Sequence, residues 1–227
     1  RLGNKFGTKK FIVYFQSFTN TYAPFPTLKA LYEKALSFDN VIGLSIGTRT
    51  DCVTDEILDY LVDLSKDKEI WIEFGIQSFF DETLININRG DTSSNMKYWI
   101  NRSKEKGLNV CGHLIYGLPN ETQEMMLETF RQTVELKVDS IKFHPLYVVK
   151  NTLLTNEFKK GRFTPISEEL YIDTVVKSIK ILPENISIQR ITAGINDSTL
   201  LSPDWCRDKH TQMKNIRLAL EKEGFNY

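Results

Sequence analysis

A carboxylate and an amide, groups that a packed apolar face does not tolerate without partners, stand on one short apolar run: Glu73 and Gln77 within Ile70-Trp71-Ile72-Glu73-Phe74-Gly75-Ile76-Gln77. At a strand's spacing of two they share a face with Trp71 and Gly75, while Ile70, Ile72, Phe74 and Ile76 make the other. The split recurs on four further runs: Tyr14 pairs with Gln16, Ser45 with Gly43 and Gly47, His113 with Cys111, and His144 with Lys142. Any one of these positions has a structural alternative, such as a buried Glu73 satisfied by Lys142 or a hydrogen-bonded core His113. Five runs behaving alike point to a shared polar site.

The elements that must position these groups alternate along the chain. Strand-like runs are Phe11 to Gln16, Val41 to Ile46, Ile70 to Ile76, Val110 to Tyr116, Ser140 to Leu146 and Ile186 to Ile191. Helical patterns lie between them: Leu28, Leu31, Tyr32, Ala35 and Leu36; Ile57, Leu58, Leu61 and Val62; and Leu170, Val175, Val176, Ile179 and Leu182. Gly107 is read as lying just past a helix end, and Ser202-Pro203-Asp204 as the cap and first turn of the last helix. Strands separated by helices predict an α/β fold with a parallel sheet and right-handed crossovers. Polar faces gathering towards the carboxyl ends of the strands select a (β/α) barrel, which builds its active site at that end. A dinucleotide-binding sheet is disfavoured, because no Gly-x-Gly-x-x-Gly follows the first strand.

With 227 residues, 41% hydrophobic and 26% charged, the chain suits one large globular domain with a sizeable core. Acidic and basic residues balance at 29 each, which excludes a global field attracting nucleic acid or an anionic membrane. No apolar run approaches the ~20 residues that span a bilayer, so no membrane partner is expected. Cys52, Cys111 and Cys206 are far apart and odd in number; they suggest a reducing, cytoplasmic compartment and no metal-ligand cluster. Met125 and Met126 read as helix core, and Tyr22 and Phe25, beside Pro24 and Pro26, as a substrate wall or as loop packing. The chain opens at Arg1, not methionine, which suggests a segment upstream.

Several motifs in order carry a resemblance. They are Tyr14-Phe15-Gln16-Ser17-Phe18-Thr19-Asn20-Thr21-Tyr22-Ala23-Pro24, Gly43-Leu44-Ser45-Ile46-Gly47-Thr48-Arg49-Thr50-Asp51-Cys52, Glu73-Phe74-Gly75-Ile76-Gln77-Ser78 and Ile87-Asn88-Arg89-Gly90. They continue through His113-Leu114-Ile115-Tyr116-Gly117-Leu118-Pro119-Asn120-Glu121-Thr122, Lys142-Phe143-His144-Pro145-Leu146, Gln189-Arg190-Ile191-Thr192-Ala193-Gly194 and Pro203-Asp204-Trp205-Cys206-Arg207-Asp208-Lys209. Together they resemble the YhcC-type group of the radical S-adenosylmethionine (radical SAM) family, within the class that holds Elongator-type enzymes and oxygen-independent coproporphyrinogen oxidases.

The resemblance implies a partial parallel barrel that here lacks its first strand and helix. Residues 1–150 would supply the second to sixth strands, and 151–227 a helical extension with one added strand packed on the same domain. It implies S-adenosylmethionine and a [4Fe–4S] cluster as cofactors of the intact protein. The cluster loop, Cys-x-x-x-Cys-x-x-Cys, does not occur in this sequence, so this chain is expected to hold no cluster and to be inactive alone. Gln77, Arg89 and His113 resemble positions that contact S-adenosylmethionine; Ser45, Glu73 and Gln16 join them as cofactor-side candidates, and Lys142, His144 and Arg190 are substrate-side candidates. Asp91 and Asn120 depart from the family's usual His and Gly. The substrate is open, with RNA conceivable; a flavodoxin or ferredoxin would supply electrons, and a missing strand would favour self-association. Two other readings stand beside this one: a non-catalytic barrel-type module that binds a nucleotide or a partner protein, and an aldolase-like barrel using Lys142 as a Schiff base.

Overall fold

The alternation of apolar and polar residues fixes the strands of the computed structural model, which describes residues 7–225; the reading of Arg1 lies outside them. β1 (Phe11–Phe15), β2 (Val41–Thr48) and β3 (Glu69–Gln77) pair in parallel, with Tyr14 opposite Ser45 and Ser45 opposite Trp71. After β4 (Asn109–Tyr116) and β5 (Ser140–Pro145) come β6 (Val148–Val149), β7 (Ser187–Arg190) and β8 (Leu200–Ser202). Six of these form one sheet in the order β1-β2-β3-β4-β5-β7, and β6 and β8 form a separate antiparallel pair. Ile70, Ile72, Phe74 and Ile76 are each at most 1% exposed, as a face packed under helices requires.

Contacts divide the chain into two units. One runs through Ile76 and resumes over Ser94–Gly112; the other takes Gln77–Ser93 and everything from His113. Within the first, α1 (Phe25–Leu36) buries Leu28 and Tyr32 beside β2. α2 (Asp55–Ser65) begins at Thr54, whose hydroxyl accepts from Ile57 N, and carries Asp55 and Glu56 where the helix dipole favours negative charge.

In the second unit, α3 (Asp81–Asn86) follows β3. α4 (Ser93–Glu105) belongs, from Ser94 on, to the first unit, and Gly107 past its end adopts φ +84°, the left-handed conformation expected of it. α5 (Gln123–Glu135), capped by Thr122, buries Met126, Leu127 and Phe130. α6 (Leu153–Lys159) and α7 (Glu168–Lys180) follow, α7 packing against both α5 and α8 (Lys209–Lys222). No described helix is long and apolar enough to cross a membrane.

Three sequence expectations are corrected. Ser202 does not cap the last helix: it ends β8 opposite Val148, a 3-10 turn spans Asp204–Arg207, and the helix cap is Asp208, which accepts from His210 N and Thr211 N. Cys206 is buried in that turn. Gln16 does not lie on β1, which ends at Phe15; Gln16 stands exposed just beyond it. The run read from Ile186 to Ile191 forms the shorter strand β7 beside β5, so it extends the sheet.

Candidate functional site

In the first unit the site is built on β2 and β3. The pairing places Glu73 opposite Gly47, which has no side chain to fill the space beside the carboxylate. Glu73 is 1% exposed, and the Ser45 hydroxyl donates to it. Buried Cys111 on β4 brings its sulfur within 4.8 Å of a Glu73 oxygen. A hydroxyl, a carboxylate and a thiol thus gather on the face that the alternation assigns to them. Gly43 serves the sheet differently: a Cβ there would stand 1.9 Å from the Glu69 carbonyl oxygen.

The loops at the carboxyl ends of β1 and β2 are tied together. The Asn20 amide donates to the carbonyls of Phe15 and Gly47, at 3.0 and 2.8 Å, and Tyr32 Oη donates to Asn20 O at 2.5 Å. Thr21 Oγ1 lies 2.5 Å from Thr48 Oγ1 and donates to Cys52 O at 2.7 Å. Arg49 forms a two-pronged pair with Asp51, 2.8 and 2.6 Å. Beside these loops lies a cavity of about 550 Å³ lined by Tyr22, Pro24, Phe25, Cys52, Val53 and Ile57 among others. Phe25 also packs edge-on against Tyr60 at 5.4 Å.

In the second unit Gln77 closes β3 in the left-handed conformation, φ +68°, turning the chain sharply into Ser78. That turn is anchored by a group the sequence reading quoted but gave no role, Glu121. Buried Ser78 donates to Glu121 Oε1 at 2.5 Å, while Phe80 N donates to Ser78 Oγ at 3.1 Å and Phe79 N to Thr129 Oγ1 at 3.3 Å. Burial pushes the Glu121 carboxyl above the usual carboxylate range, against the hydrogen bonds from Ser78 and Thr83. Asn120 adopts φ +66°, so it fills a glycine-type position with the side chain that tolerates it best among the others. Arg89 lies between left-handed Asn88 and Gly90, half-buried, with its Nε sealed from solvent.

His113 is half-buried on β4, and Lys142 is 8% exposed on β5. His144, two residues on, sets Nδ1 2.7 Å from the Pro145 carbonyl, so Nδ1 carries the proton and Nε2 is an acceptor. Burial lowers its pKa to about 4, reinforced by the charges of Arg190 and His113 and opposed by the Pro145 bond; the ring is neutral at pH 7. The Tyr147 ring lies 5.0 Å away. Arg190 on β7 stands opposite Lys142. Ser45 and Glu73 are therefore brought together within the first unit, and Lys142, His144 and Arg190 within the second.

Two family matches cover most of the chain: residues 1–133 match the Radical SAM superfamily, and 138–222 match the Radical_SAM C-terminal domain. Protein YhcC of Escherichia coli K12 is 38% identical over 218 residues, covering 95% of this chain and 70% of that protein. Uncharacterized protein YtqA of Bacillus subtilis is 34% identical over 224 residues, covering 99% and 70%. The solved structure of the archaeal Methanocaldococcus infernus Elp3 with an N-terminal deletion superposes with a TM-score of 0.84 at 21% identity, over 99% of this chain and 57% of that one. That likeness gives the fold, an α/β arrangement of six parallel strands matching a partial radical SAM barrel.

Proposed function

Because the chain belongs to the radical SAM superfamily, with YhcC-type and Elongator-like relatives, we propose that it forms the S-adenosylmethionine-binding core of an enzyme that cleaves this cofactor reductively. The observation that carries the reading is the match over residues 1–133, which spans the strands bearing Ser45, Glu73, Gln77 and His113.

Members of the family use S-adenosylmethionine and a [4Fe–4S] cluster, which supplies the electron that breaks a carbon–sulfur bond. The thiols of these residues do not fit the cluster. Cys52 lies in a turn after β2, Cys111 within β4 and Cys206 in the turn before α8, and the last two are buried. Burial also raises the pKa of Cys206 to about 12, far from the thiolate an iron site needs. The cluster's ligands are therefore not assigned to these cysteines. The chain's own part is to bind and orient: the Arg89 guanidinium for the cofactor's carboxylate, Gln77 and His113 for its hydrogen-bonding groups, and the Ser45–Glu73 pair as a fixed acceptor. Gln16, exposed beyond β1, is the weakest of this group.

The same proposal includes a flavodoxin or ferredoxin as electron donor and a cytoplasmic setting; RNA as substrate rests only on Elongator-like kinship. Self-association of the chain is supported by β1 at the sheet edge, with Ile12 and Tyr14 exposed. A second reading, a non-catalytic binding module, is favoured by the dispersed thiols. One experiment separates them. The protein expressed from its own start codon is reconstituted anaerobically with iron and sulfide, then assayed for reductive formation of 5′-deoxyadenosine. Product tracking cluster content supports the enzyme; a stoichiometric cluster without product, or no cluster at all, supports the module.

A further inference from the structure

Gln77 and Arg89, both assigned to the cofactor, stand at the ends of one short segment that runs from the end of β3 through α3. Both ends turn through left-handed residues: Gln77 itself at φ +68°, and Asn88 and Gly90 at +54° and +66° on either side of Arg89. That conformation disfavours an L side chain, so Gln77 and Asn88 keep it only where neighbours hold them.

One carboxyl does the holding. Ser78, next to Gln77, donates to Glu121 Oε1 at 2.5 Å, and Thr83 on α3 donates to the same group. Both hydroxyls belong to buried residues, Ser78 and Thr83 being 0% and 3% exposed. Thr83 also begins the turns that lead to Arg89: its carbonyl accepts from Ile87 N at 3.0 Å, and the carbonyl of Leu84 accepts from Arg89 N at 2.9 Å. Glu121 is itself fixed, its N–H donating to Leu118 O at 3.1 Å beside left-handed Asn120. A single side chain beyond β4 therefore grips the segment directly after Gln77 and again ahead of Arg89.

We propose that Glu121 is a positioning residue for S-adenosylmethionine: touching none of the cofactor, it fixes Gln77 and Arg89 relative to each other so that both meet it at once. The proposal rests on the reading of the chain as a cofactor-binding core and adds the group on which the two contacts depend. A segment released from this grip samples other positions, and affinity falls in proportion to the fraction that stays in place. A role in stability alone would lower the melting temperature and leave the affinity of folded molecules as it is.

The test is calorimetric titration of the cluster-loaded protein with S-adenosylmethionine, at a temperature where circular dichroism shows each variant folded. Glu121→Ala should bind roughly tenfold or more weakly, while Glu121→Gln, which keeps an oxygen for Ser78, should stay near the unaltered protein. Thr192→Ala removes the buried donor to Gln212; it destabilises the same unit at another place and should leave the affinity unchanged. In an Arg89→Ala background, Glu121→Ala should cost a smaller factor than it does alone, because its effect runs partly through Arg89. An unchanged affinity in folded Glu121→Ala overturns the proposal and leaves the cofactor reading standing. So does an equal loss in Glu121→Gln or Thr192→Ala, or full multiplication of the Arg89→Ala and Glu121→Ala factors. A second arm needs no cofactor: amide hydrogen exchange of residues 78–89 should quicken in Glu121→Ala with that of α8 unchanged, and an unaltered rate over 78–89 overturns the proposal too. Absence of S-adenosylmethionine binding in the unaltered protein overturns the cofactor reading and the positioning role together.

Discussion

Replacing Ser78 by alanine isolates the anchor that holds the turn after β3. The substitution removes the hydroxyl that donates to Glu121 and accepts from Phe80 N. A hydrogen bond to a charged group is worth about 1.5–3 kcal/mol and a neutral one about 0.5–1.5, so Ser78→Ala should cost about 2–4 kcal/mol. For a chain of this length that lowers the melting temperature by roughly 4–16 °C. Glu121→Gln behaves differently, because an amide oxygen still accepts from Ser78 and needs no buried charge. The pH dependence carries the sign. Glu121 titrates above its unfolded value, so the folded state binds more protons between the two values. Its contribution is present in full below the unfolded pKa of 4.5 and is lost as pH rises through the folded value. At pH 7, therefore, Glu121→Gln should match or exceed the unaltered protein in urea unfolding, and at pH 4 the difference should shrink. A Glu121→Gln variant as damaged as Ser78→Ala at pH 7, or a Ser78→Ala within about 0.5 kcal/mol of the parent, would refute the anchoring role.

Four further outcomes are expected. In the cluster-loaded protein, Arg89→Ala should weaken S-adenosylmethionine roughly 10- to 150-fold by calorimetry, and Gln77→Ala less, since a neutral hydrogen bond contributes less than a charged one. The 227-residue chain alone, treated anaerobically with iron and sulfide, should develop no stoichiometric [4Fe–4S] absorption; a cluster lost on mutating Cys52, Cys111 and Cys206 would refute the thiol assignment. His144, held neutral with a pKa near about 4, binds fewer protons folded than unfolded as pH falls below 6.5. Stability should therefore drop on acidification across that window, and His144→Gln should flatten the drop in pH-dependent urea titrations. Gly43→Ala should destabilise by about 1–3 kcal/mol or more in a thermal melt, since its Cβ would fall 1.9 Å from a backbone oxygen with no room to yield.

Much of this was legible along the chain because burial and strand geometry write the same period. Ile70, Ile72, Phe74 and Ile76 are buried together, and Ser45 and Glu73 meet because both sit on the polar face of neighbouring strands. Asn120 stands where the resemblance implies Gly, and its left-handed backbone is the conformation a glycine there would adopt. The misses have local causes. Strands of two or three residues, as in β6 and β8, are too short to carry a period. Ser202-Pro203-Asp204 fits a helix start and a strand exit equally well, and Asp208, four residues past Asp204, was the cap. Glu121 had no visible role because its partner Ser78 lies 43 residues away in sequence. The slip in β7, which sets Arg190 opposite Lys142 directly after Ile188 opposite Ile141 and passes over Gln189, depends on β5 as much as on β7 itself, so no window of one strand displays it.

That slip makes segment length a coding variable. The charge presented beside Lys142 is decided by counting residues from Ile188, not by which residues are available, since Gln189 and Arg190 are both on hand. Deleting Gln189 would keep Arg190 opposite Lys142 in regular pairing, whereas one residue inserted after it would carry the guanidinium past that position and leave a neutral neighbour. A single-codon insertion would thus change which side chain stands opposite Lys142, with every original side chain still present.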